Sequence, residues 1–353
     1  MFRRSKSLVG LDIGSSAVKA VELKPSGKGY QVIAFGSEPI PPDSIVDGAI
    51  TDAAAVAGAI RRLLDSRKIH TKEVAASLSG NAVIVKKITL PIMTEAELAE
   101  SIGWEAEQYI PFDIQDVNLD YQVLDAGDAA AGRTNMEVLL VAAKKEKIAD
   151  YTGVIGQAGR QAVVVDVDAF ALQNAFEANY GMEPGQVVVL LNAGASATNI
   201  NILHGDQSVF TRDLSTGGNA YTEALQKELN LSFEAADRLK CGADIDGATF
   251  EDARPVLRAV SENVMLEIQK TFDFFKATSD TDRIDRIVVS GGASCAEGFL
   301  EMLTERFAAP VEIFDPFRKV TLDSKRFGTS LPPGVAPTAA VALGLALRRA
   351  ADR

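Results

Sequence analysis

A short turn near the start of the chain brings an acid, small residues and a lysine into one predicted β-hairpin. Asp12 ends an apolar strand, Gly14, Ser15 and Ser16 form the turn, and Lys19 lies in the returning strand. Backbone N–H groups in a turn of Gly and Ser can approach phosphate oxygens closely, and a lysine adds a positive charge. Asp12 is suited to hold a hydrated metal ion through water. The same residues also suit an ordinary turn, so the hairpin alone leaves both interpretations open.

A second segment repeats this pattern in the other half of the chain. Residues 187–203 predict a buried strand, a tight turn and a returning strand. Its candidate ligands are Asn192, Gly194, Ala195, Ser196 and Thr198. Two similar hairpins in the two halves indicate an internal duplication. A cleft between the halves is the expected place for a nucleotide.

A diglycine segment late in the chain completes the set. A strand from about residue 287 runs into Gly291, Gly292 and Ser294 before a helix. Together with the hairpins, this segment resembles the superfamily of actin, heat-shock chaperones and sugar kinases. The resemblance implies an α/β fold of the duplicated actin-like, ribonuclease H-like ATPase type. It also implies ATP or ADP with Mg²⁺ as cofactors, the hairpins holding the phosphates and the glycine pair facing the adenosine.

The same resemblance assigns further residues to the nucleotide. The adenosine pocket is expected to be shaped by Gly217, Gly218, Asn219, Gly291, Gly292 and Ser294. Asp237 and Lys240 match an acid–lysine pair that holds the ribose in relatives, and an exposed helix ion pair is the alternative. Asp12 is expected to hold Mg²⁺ through water.

The expected chemistry depends on Asn192 and Asp166. Relatives usually have Asp where this chain has Asn192. An uncharged amide holds hydrated Mg²⁺ less well and orients an attacking water less effectively. Asp166 either positions that water or is only an acid at the start of a helix. The expectation is nucleotide binding with weak ATPase activity or none.

Composition excludes several other classes of function. The chain has 353 residues, is 47% hydrophobic and carries a formal net charge of −12. That charge argues against general affinity for nucleic acid or anionic lipid, and no apolar run is long enough to span a bilayer. The basic residues Arg3, Arg4 and Lys6 suit either a frayed terminus or an anionic membrane. The two cysteines, Cys241 and Cys295, lack a metal spacing and predict reduced thiols of a cytoplasmic protein.

The order of predicted elements divides the chain into five parts. The expected parts are subdomain 1A (1–80 and 159–184), an inserted α/β subdomain 1C (81–158), subdomain 2A (185–235 and 281–335), subdomain 2B (236–280) and a C-terminal connecting helix (336–353). Within the insertion, Thr94 and Glu97 predict a capping box for a helix over 95–109.

The insertion carries a more specific resemblance. Residues 90–124, LPIMTEAELAESIGWEAEQYIPFDIQDVNLDYQVL, resemble the signature stretch of the PilM family of type IV pilus assembly proteins. Residues 166–176 and 217–225 also resemble segments of that family, and the similarity extends over essentially the whole chain. The implied architecture is similar to that of the cell-division protein FtsA, in which an inserted domain replaces one lobe of actin.

This resemblance implies a cytoplasmic ATP-binding scaffold, peripheral to the inner membrane, in the pilus assembly platform. The expected partners are the N-terminal cytoplasmic peptide of PilN and other platform and motor proteins. Candidates for the wall of the peptide groove are helix 95–109 and the strand leading to Leu90. Trp104 and Tyr109 either contact the peptide or pack inside the small domain.

Two alternative functions stay open. One is an FtsA-like or other filament-forming actin homologue, and the other is a small-metabolite kinase on the same fold. FtsA continues beyond its last core helix into a basic amphipathic membrane helix. This sequence stops at Arg353, soon after that helix, so membrane contact is expected to come through a partner.

Overall fold

The computed structural model describes residues 8–27, 29–127, 132–279, 281, 283–327, 331 and 334–349. In the first half of the chain, the described residues contribute to a large sheet and a three-stranded sheet, with α-helices packed on both. Its elements are β1 (Val9–Ile13), β2 (Ala17–Ser26), β3 (Gly29–Pro39), β4 (Ile45–Val46), β5 (Ala49–Ile50), α1 (Ala53–Ser66), β6 (Glu73–Leu78), β7 (Val83–Pro91), α2 (Glu95–Glu107), β8 (Val117–Asp125), β9 (Asn135–Lys144), α3 (Lys145–Gln157), β10 (Gln161–Val167) and α4 (Asp168–Tyr180), with β4 and β5 as a separate small ribbon. The basic cluster Arg3, Arg4 and Lys6 lies outside the described residues.

The second half adds one more large sheet and the closing helices. Its elements are β11 (Val187–Ala193), β12 (Thr198–His204), β13 (Gln207–Leu214), α5 (Gly218–Leu229), α6 (Phe233–Lys240), α7 (Phe250–Thr278), β14 (Arg286–Ser290), α8 (Phe299–Phe307), β15 (Val311–Ile313), β16 (Thr321–Leu322), α9 (Ser324–Phe327) and α10 (Ala340–Ala346). Short 3₁₀ helices occupy Gly292–Cys295 and Ala336–Ala339.

The two large sheets have the same topology. The first has the order β10-β6-β1-β2-β3-β16, and the second reads β15-β14-β11-β12-β13 in the same direction. In each, the central strand (β1 or β11) pairs antiparallel with the next strand of its hairpin and parallel with a later strand. This correspondence confirms the predicted duplication and places the two hairpin turns at equivalent edges of the sheets.

Helix α10 is packed at backbone distance against the first domain. A Cβ atom on Gly10 would lie 1.9 Å from the carbonyl oxygen of Ala342, and one on Gly344 would lie 1.7 Å from that of Ala171. Only glycine allows such contacts. The buried side chains of α10 share a core with α4 and both sheets, so this helix fixes the hairpins relative to one another.

The inserted region is built around the three-stranded sheet β7-β9-β8. Helix α2 covers this sheet with Leu98, Ile102 and Ala106. The predicted capping box is confirmed, because Glu97 N donates to Thr94 Oγ1 at 3.3 Å and Thr94 N donates to Glu97 Oε2 at 2.8 Å.

Helix α3 does not belong to the core of the inserted sheet. Its buried residues Tyr151, Val154 and Ile155 pack in the same cluster as α1 and the first large sheet. The apolar face of α3 covers the first domain, which favours an end of the insertion before this helix over the expected end at residue 158. We place that end near Lys144, and the other boundaries stay predictions. Among the residues described, no helix combines the length and apolarity that a membrane crossing requires.

Candidate functional site

The first hairpin holds its acid and its lysine side by side. Asp12 on β1 and Lys19 on β2 are directly opposed in the ladder, and Lys19 Nζ lies 3.0 Å from Asp12 Oδ2. Both side chains are mostly buried, at 15% and 18% exposure. The turn is closed by a hydrogen bond from Gly14 N to the carbonyl oxygen of Ala17, at 3.2 Å. The predicted cluster is thus assembled around one tight turn.

The second hairpin has the same turn with different chemistry. Gly194 N donates to the carbonyl oxygen of Ala197 at 2.9 Å, as Gly14 does in the first hairpin. Asn192 and Asn199 take the ladder positions of the acid and the lysine, and Asn192 Nδ2 donates to Asn199 Oδ1 at 3.0 Å. The charged pair of the first hairpin is therefore matched by an amide pair in the second.

The two turns meet across the cleft. Ser15 Oγ, in the first turn, donates to Ser196 Oγ, in the second, at 2.9 Å. Ser16 and Ala195 occupy the remaining turn positions. Thr198 is buried, and its hydroxyl donates to the carbonyl oxygen of Thr216, so it supports the second turn. The two turns are therefore in direct contact through their serine side chains.

A chain of polar side chains links the second hairpin to the first domain. Asn199 Nδ2 donates to Asp213 Oδ1 at 2.8 Å, and Gly80 N donates to the other carboxylate oxygen of Asp213 at 2.5 Å. At the opposite end, Ser290 Oγ donates to Asn192 Oδ1 at 3.3 Å. Asp213, which the sequence motifs did not single out, is therefore the acid that joins the two halves beside the amide pair.

The start of α5 is tied to the second turn. Gly218 N donates to the carbonyl oxygen of Gly194 at 2.8 Å, and Asn219 N donates to that of Ala195 at 2.7 Å. A Cβ atom on Gly217 would lie 2.6 Å from both of these oxygens, so only glycine fits there. The three residues of this segment lie directly against the second turn, and their expected role in the adenosine pocket stays a prediction.

The diglycine segment also reaches the second hairpin. Gly291 has a φ of +87°, and a Cβ atom there would lie 2.2 Å from the carbonyl oxygen of Ala193. Buried Ser294 donates its hydroxyl to the carbonyl oxygen of Gly291 at 2.6 Å. Gly292 has open space around its Cβ position, with only Thr338 Cγ2 at 4.0 Å. Gly291 is thus needed for the backbone itself, whereas Gly292 keeps the surface of the segment open.

The pair of Asp237 and Lys240 is anchored rather than free on the surface. Lys240 Nζ lies 2.5 Å from Asp237 Oδ1 and also donates to Thr222 Oγ1 at 2.8 Å and to the carbonyl oxygen of Gly218 at 3.4 Å. The lysine side chain is only 17% exposed, while Asp237 is 48% exposed. This geometry differs from that of an isolated surface ion pair, because it joins α6 to the beginning of α5.

The structure places Asp166 away from the turns. Its Oδ2 lies 3.2 Å from Arg348 Nη1, just past α10, and its Oδ1 accepts from Val167 N. Only 6% of the side chain is exposed. This ion pair gives no support to the expectation that Asp166 positions a water molecule. It holds the end of the chain to β10 instead.

Asp168, which begins α4 directly after β10, is the acid of this segment whose carboxyl group is affected by the charge of Asp12 in the first hairpin. Its Oδ1 accepts from Ser77 Oγ at 2.5 Å. Desolvation, together with the negative charge of Asp12, raises the pKa of Asp168 to about 6, against the hydrogen bonds from Ser77 and Ser79. The prediction from sequence named only Asp166, because the segment DVDAF does not show which of its acids lies near the first hairpin. Acids beside each other with a raised pKa are typical of functional sites.

A buried lysine lies on the same side of the first domain. Lys147, on α3, donates to the carbonyl oxygen of Gly48, and Tyr151 Oη donates to the same oxygen at 3.2 Å. Burial lowers the pKa of Lys147, while the charges of Asp150 and Asp168 oppose that shift. Burial and the charge of Asp168 raise the pKa of Tyr151. Neither residue carried a sequence signal, since both lie in an unremarkable amphipathic helix.

The described residues fit a nucleotide better than a protein-only metal site. No group of three or more Asp, Glu, His or Cys side chains suited to a metal ion occurs in the described part of the chain. By contrast, glycines occur in both turns and at the start of α5, where they let these backbone segments pack closely on one another. A cation held by Asp12 would therefore take most of its ligands from water and phosphate.

The inserted region presents one large aromatic side chain to solvent. Trp104 on α2 is 77% exposed, so it does not pack inside the small domain. Tyr109 is half-buried beside the core of the inserted sheet, with Lys86 Nζ 5.2 Å from its ring centre. Leu90 itself is buried in that core, and the expectation that the strand leading to it lines the peptide groove stays a prediction.

Comparison with known proteins decides the family. A family model described as type IV pilus assembly protein PilM matches residues 10–350. The chain belongs to the PilM family. A solved structure of a PilM–PilN type IV pilus biogenesis complex is 32% identical and has a TM-score of 0.86, with 99% of this chain and 100% of that chain covered. The predicted PilM resemblance and role in type IV pilus assembly are confirmed.

More distant relatives share the fold. The cell division protein FtsA of Enterococcus hirae is 25% identical over 351 residues, which cover 87% of this chain and 78% of FtsA. MreB5 of Spiroplasma citri, solved with AMPPNP bound, is 14% identical and has a TM-score of 0.52, with 97% and 95% of the two chains covered. These matches confirm the actin-like α/β ATPase fold that relates PilM to FtsA.

Proposed function

We propose that this PilM-family protein is an ATP-binding scaffold of the pilus inner-membrane assembly platform. It works in the cytoplasm, at the inner membrane through its partners, which include PilN and other platform and motor proteins. The observation that carries the nucleotide part is the contact of two equivalent turns, through Ser15 and Ser196, across the cleft. Membership of an actin-like family with MreB5 structures bound to AMPPNP and to ADP supports the choice of ligand.

The phosphates lie between the two turns in this proposal. Backbone N–H groups of Ser15 and Ser16 face them from one side, and those of Ala195 and Ser196 face them from the other, since the N–H groups of Gly14 and Gly194 already close the two turns. A phosphate in this space replaces the hydrogen bond between Ser15 and Ser196. Lys19, beside the first turn, supplies the positive charge, as its ammonium group is already held at the cleft by Asp12.

The nucleoside lies between α5, α6 and the diglycine segment. Asp237 is half-exposed with its lysine partner fixed behind it, which leaves a carboxylate oxygen available for ribose hydroxyls. Gly292, whose Cβ position meets only Thr338 Cγ2 at 4.0 Å, leaves the surface low enough for a planar base, while Gly217 and Gly218 hold the start of α5 against the second turn. A bound Mg²⁺ neutralises phosphate charge, and Asp12 is the residue placed to hold its water ligands.

Hydrolysis is weak or absent in this proposal. The position of Asn192 carries no charge, and its amide is already bonded to Asn199 and Ser290. A neutral amide does not take a proton from water. Asp168 is the remaining candidate to orient a water molecule, and its carboxylate is held by Ser77.

Calorimetry with the whole protein tests the nucleotide part. Titration with ATP or ADP in the presence of Mg²⁺ is expected to give a saturable signal with one site per chain. Omission of Mg²⁺ is expected to weaken binding without abolishing it, because Lys19 and the turn backbones remain. A folded protein that gives no response to either nucleotide would contradict the proposal.

The PilN part rests on a related complex and on the exposed face of α2. The solved PilM–PilN complex covers 99% of this chain at 32% identity. We propose that the N-terminal PilN tail lies in the groove between the inserted and first domains, with Trp104 as an aromatic anchor. Exposed aromatic side chains commonly dominate the affinity of an ordered peptide.

The contact between the peptide and Trp104 can be tested by intrinsic fluorescence, without an added label. Trp104 is the one tryptophan in the sequence. A synthetic PilN tail peptide is expected to shift its fluorescence to shorter wavelength as the indole loses water contact. Binding detected by calorimetry without any fluorescence change would place the peptide elsewhere. The other groove between α1 and α3, lined by Ile50, Ala53 and Val154, would then be the next candidate.

Nucleotide and peptide binding are coupled in this proposal through α3. Lys147 and Tyr151 bond to Gly48 on one side of the helix and lie near Asp168, while Asp150 and Gly153 line the α1–α3 groove. Because α3 follows directly after β9 of the inserted sheet, a change at the phosphate end also reaches the inserted region whose helix α2 carries Trp104. Equal peptide affinity with and without ATP would remove this coupling.

A further inference from the structure

The two cysteines of the chain lie on segments that border the proposed nucleotide pocket. The sequence contains only Cys241 and Cys295. Cys241 caps the C-terminal end of α6, and Cys295 ends the short helix after the diglycine segment. Both are free and exposed to solvent. The thiols thus lie on different elements and remain open to reagents.

Packing holds these two segments against the same cluster. Leu239, two residues before Cys241, and Ala296, directly after Cys295, contact one hydrophobic core between α5, α6 and α7. Arg254 on α7 also lies 3.8 Å from Glu297. The ends that carry the cysteines are therefore fixed in proximity by shared apolar contacts rather than by chance exposure.

Each cysteine is next to a residue that shapes the proposed pocket. Cys241 follows Lys240, which donates to the carbonyl oxygen of Gly218. Cys295 directly follows Ser294 and lies two residues after Ala293. A Cβ atom on Gly218 would lie 3.3 Å from Ala293 Cβ. The two segments that carry the cysteines therefore both approach the start of α5, where each forms one side of the proposed adenosine pocket.

We propose that Cys241 and Cys295 form a redox-sensitive thiol pair that closes the adenosine side of the cleft when it is oxidised. The effect on ATP rests on the proposed nucleotide function, whereas the formation of the disulfide does not. Cytoplasmic disulfides are usually transient or regulatory, which suits a switch rather than a permanent bridge.

The chemistry needs an oxidant of the small-disulfide class, for which oxidised glutathione is the probe. The thiolate of Cys295 attacks one glutathione sulfur, a mixed disulfide forms and one reduced glutathione leaves. The thiolate of Cys241 then attacks the Cys295 sulfur and releases the second glutathione. The two protein thiols lose two protons and two electrons, and one glutathione disulfide gains them.

The order of attack follows from the surroundings of Cys241. Burial raises the pKa of Cys241, and the charges of Asp237 and Cys295 act in the same direction, against Lys240. A thiol with a raised pKa is mostly protonated at neutral pH and attacks slowly. Cys295 is therefore expected to react first and Cys241 to complete the bridge.

The bridge competes with a bound base. A disulfide holds its two Cα atoms about 5.5–6 Å apart. A planar base inserted between the two walls needs more separation than this, since it contacts both faces at van der Waals distance. Oxidation is therefore expected to weaken ATP binding by about tenfold or more, and bound ATP is expected to slow oxidation.

Mass spectrometry of the whole protein tests the pairing. Reduced protein is treated with oxidised glutathione, with and without Mg²⁺ and ATP, and free thiols are then alkylated. The expected product is a single intramolecular Cys241–Cys295 disulfide that forms more slowly with ATP present. Two separate glutathione adducts, or disulfide-linked dimers, would overturn the pairing.

Calorimetry of the oxidised and re-reduced protein tests the effect on the pocket. ATP affinity is expected to fall on oxidation and to recover with dithiothreitol. An unchanged affinity in the bridged protein would overturn the closure. As matched controls, Cys241→Ser and Cys295→Ser each keep the size of the side chain and are expected to take one glutathione without losing ATP affinity. Failure of the reduced wild-type protein to bind ATP would count against the nucleotide proposal, while the mass result would still decide the thiol pair.

Discussion

The hydroxyl groups of Ser15 and Ser196 are hydrogen-bonded at 2.9 Å, although they belong to hairpins in opposite halves of the chain. Each residue lies in a turn closed by the same backbone hydrogen bond, from Gly14 to Ala17 in one and from Gly194 to Ala197 in the other. A half-buried side-chain hydrogen bond is typically worth about 0.5–1.5 kcal/mol.

Removal of this contact gives a first prediction. Ser15→Ala and Ser196→Ala are each expected to lower the free energy of unfolding by about 1 kcal/mol. Because both changes remove the same hydrogen bond, the double variant is expected to lose little more than either single variant. Urea denaturation of the wild type, the two single variants and the double variant completes this double-mutant cycle. Fully additive losses would mean that the two hydroxyls do not interact in solution.

Lys19 gives a second prediction, on nucleotide affinity. Lys19→Met keeps the length of the aliphatic chain and removes the ammonium group beside the first turn. Charged hydrogen bonds contribute about 1.5–3 kcal/mol, so ATP affinity is expected to fall by about 10- to 100-fold. Calorimetric titration with Mg²⁺ and ATP measures the change.

The matched control lies on the same strand. Lys24, near the other end of β2, is exposed and distant from the turn. Lys24→Met is expected to leave ATP affinity unchanged. Equal effects of the two substitutions would indicate that only the overall charge matters, contrary to the assigned role of Lys19.

Adjacent glycines in the diglycine segment give a third prediction with a built-in comparison. Gly291→Ala forces an alanine to a φ of +87° and directs its Cβ to within 2.2 Å of the carbonyl oxygen of Ala193. The free energy of unfolding is expected to fall by about 3 kcal/mol or more. Gly292→Ala meets only Thr338 at 4.0 Å and is expected to cost less than about 0.5 kcal/mol. Thermal or urea unfolding that ranks the two variants equally would contradict this geometry.

Asp168 gives a fourth prediction, on the pH dependence of stability. Its pKa is raised to about 6 in the folded protein, whereas an unfolded aspartate has a pKa of about 3.9. The folded state therefore binds this proton more tightly, so its contribution to stability is present below about pH 4 and is lost as pH rises to about 6. The total loss is up to about 3 kcal/mol. Asp168→Asn does not titrate and is expected to lack this decline.

Urea denaturation between pH 4 and 7 compares the two proteins. The difference in unfolding free energy between Asp168→Asn and the wild type is expected to grow across this window in favour of the variant. Parallel pH curves would show that the carboxyl group of Asp168 titrates as it does in the unfolded chain.

Trp104 gives a fifth prediction, which separates packing from peptide contact. Since 77% of the side chain is exposed, Trp104→Ala is expected to change the unfolding free energy by less than about 0.5 kcal/mol. Its affinity for the PilN tail peptide is expected to fall by about tenfold, as is usual for an aromatic anchor. A large loss of stability with unchanged peptide affinity would show that Trp104 packs within the fold and does not contact the peptide.

Much of the fold follows from local sequence patterns. The turns at Gly14 and Gly194 and the capping box of Thr94 and Glu97 obey short-range rules that act within a few residues. The repeat of strand, turn and strand in both halves was sufficient to predict the duplication, because equivalent patterns fold into equivalent ladders.

Contacts between distant elements could not be predicted in the same way. The choice between Asp166 and Asp168 depends on Arg348 and Asp12, which lie far away in the chain. The packing of α3 on the first domain depends on which of two apolar surfaces it covers, and its own periodicity fits both. The roles of Asp213 and Lys147 depend on backbone groups that the fold brings next to them. These are the amide group of Gly80 for Asp213 and the carbonyl group of Gly48 for Lys147.

Hydrogen–deuterium exchange with and without ATP and Mg²⁺ tests the central claim most directly. If two equivalent turns hold the same phosphate chain, residues 12–19 and 192–199 will become protected together and at the same ATP concentration. Protection of only one of these segments, or of neither in a protein that still binds ATP, would contradict a site shared by both halves.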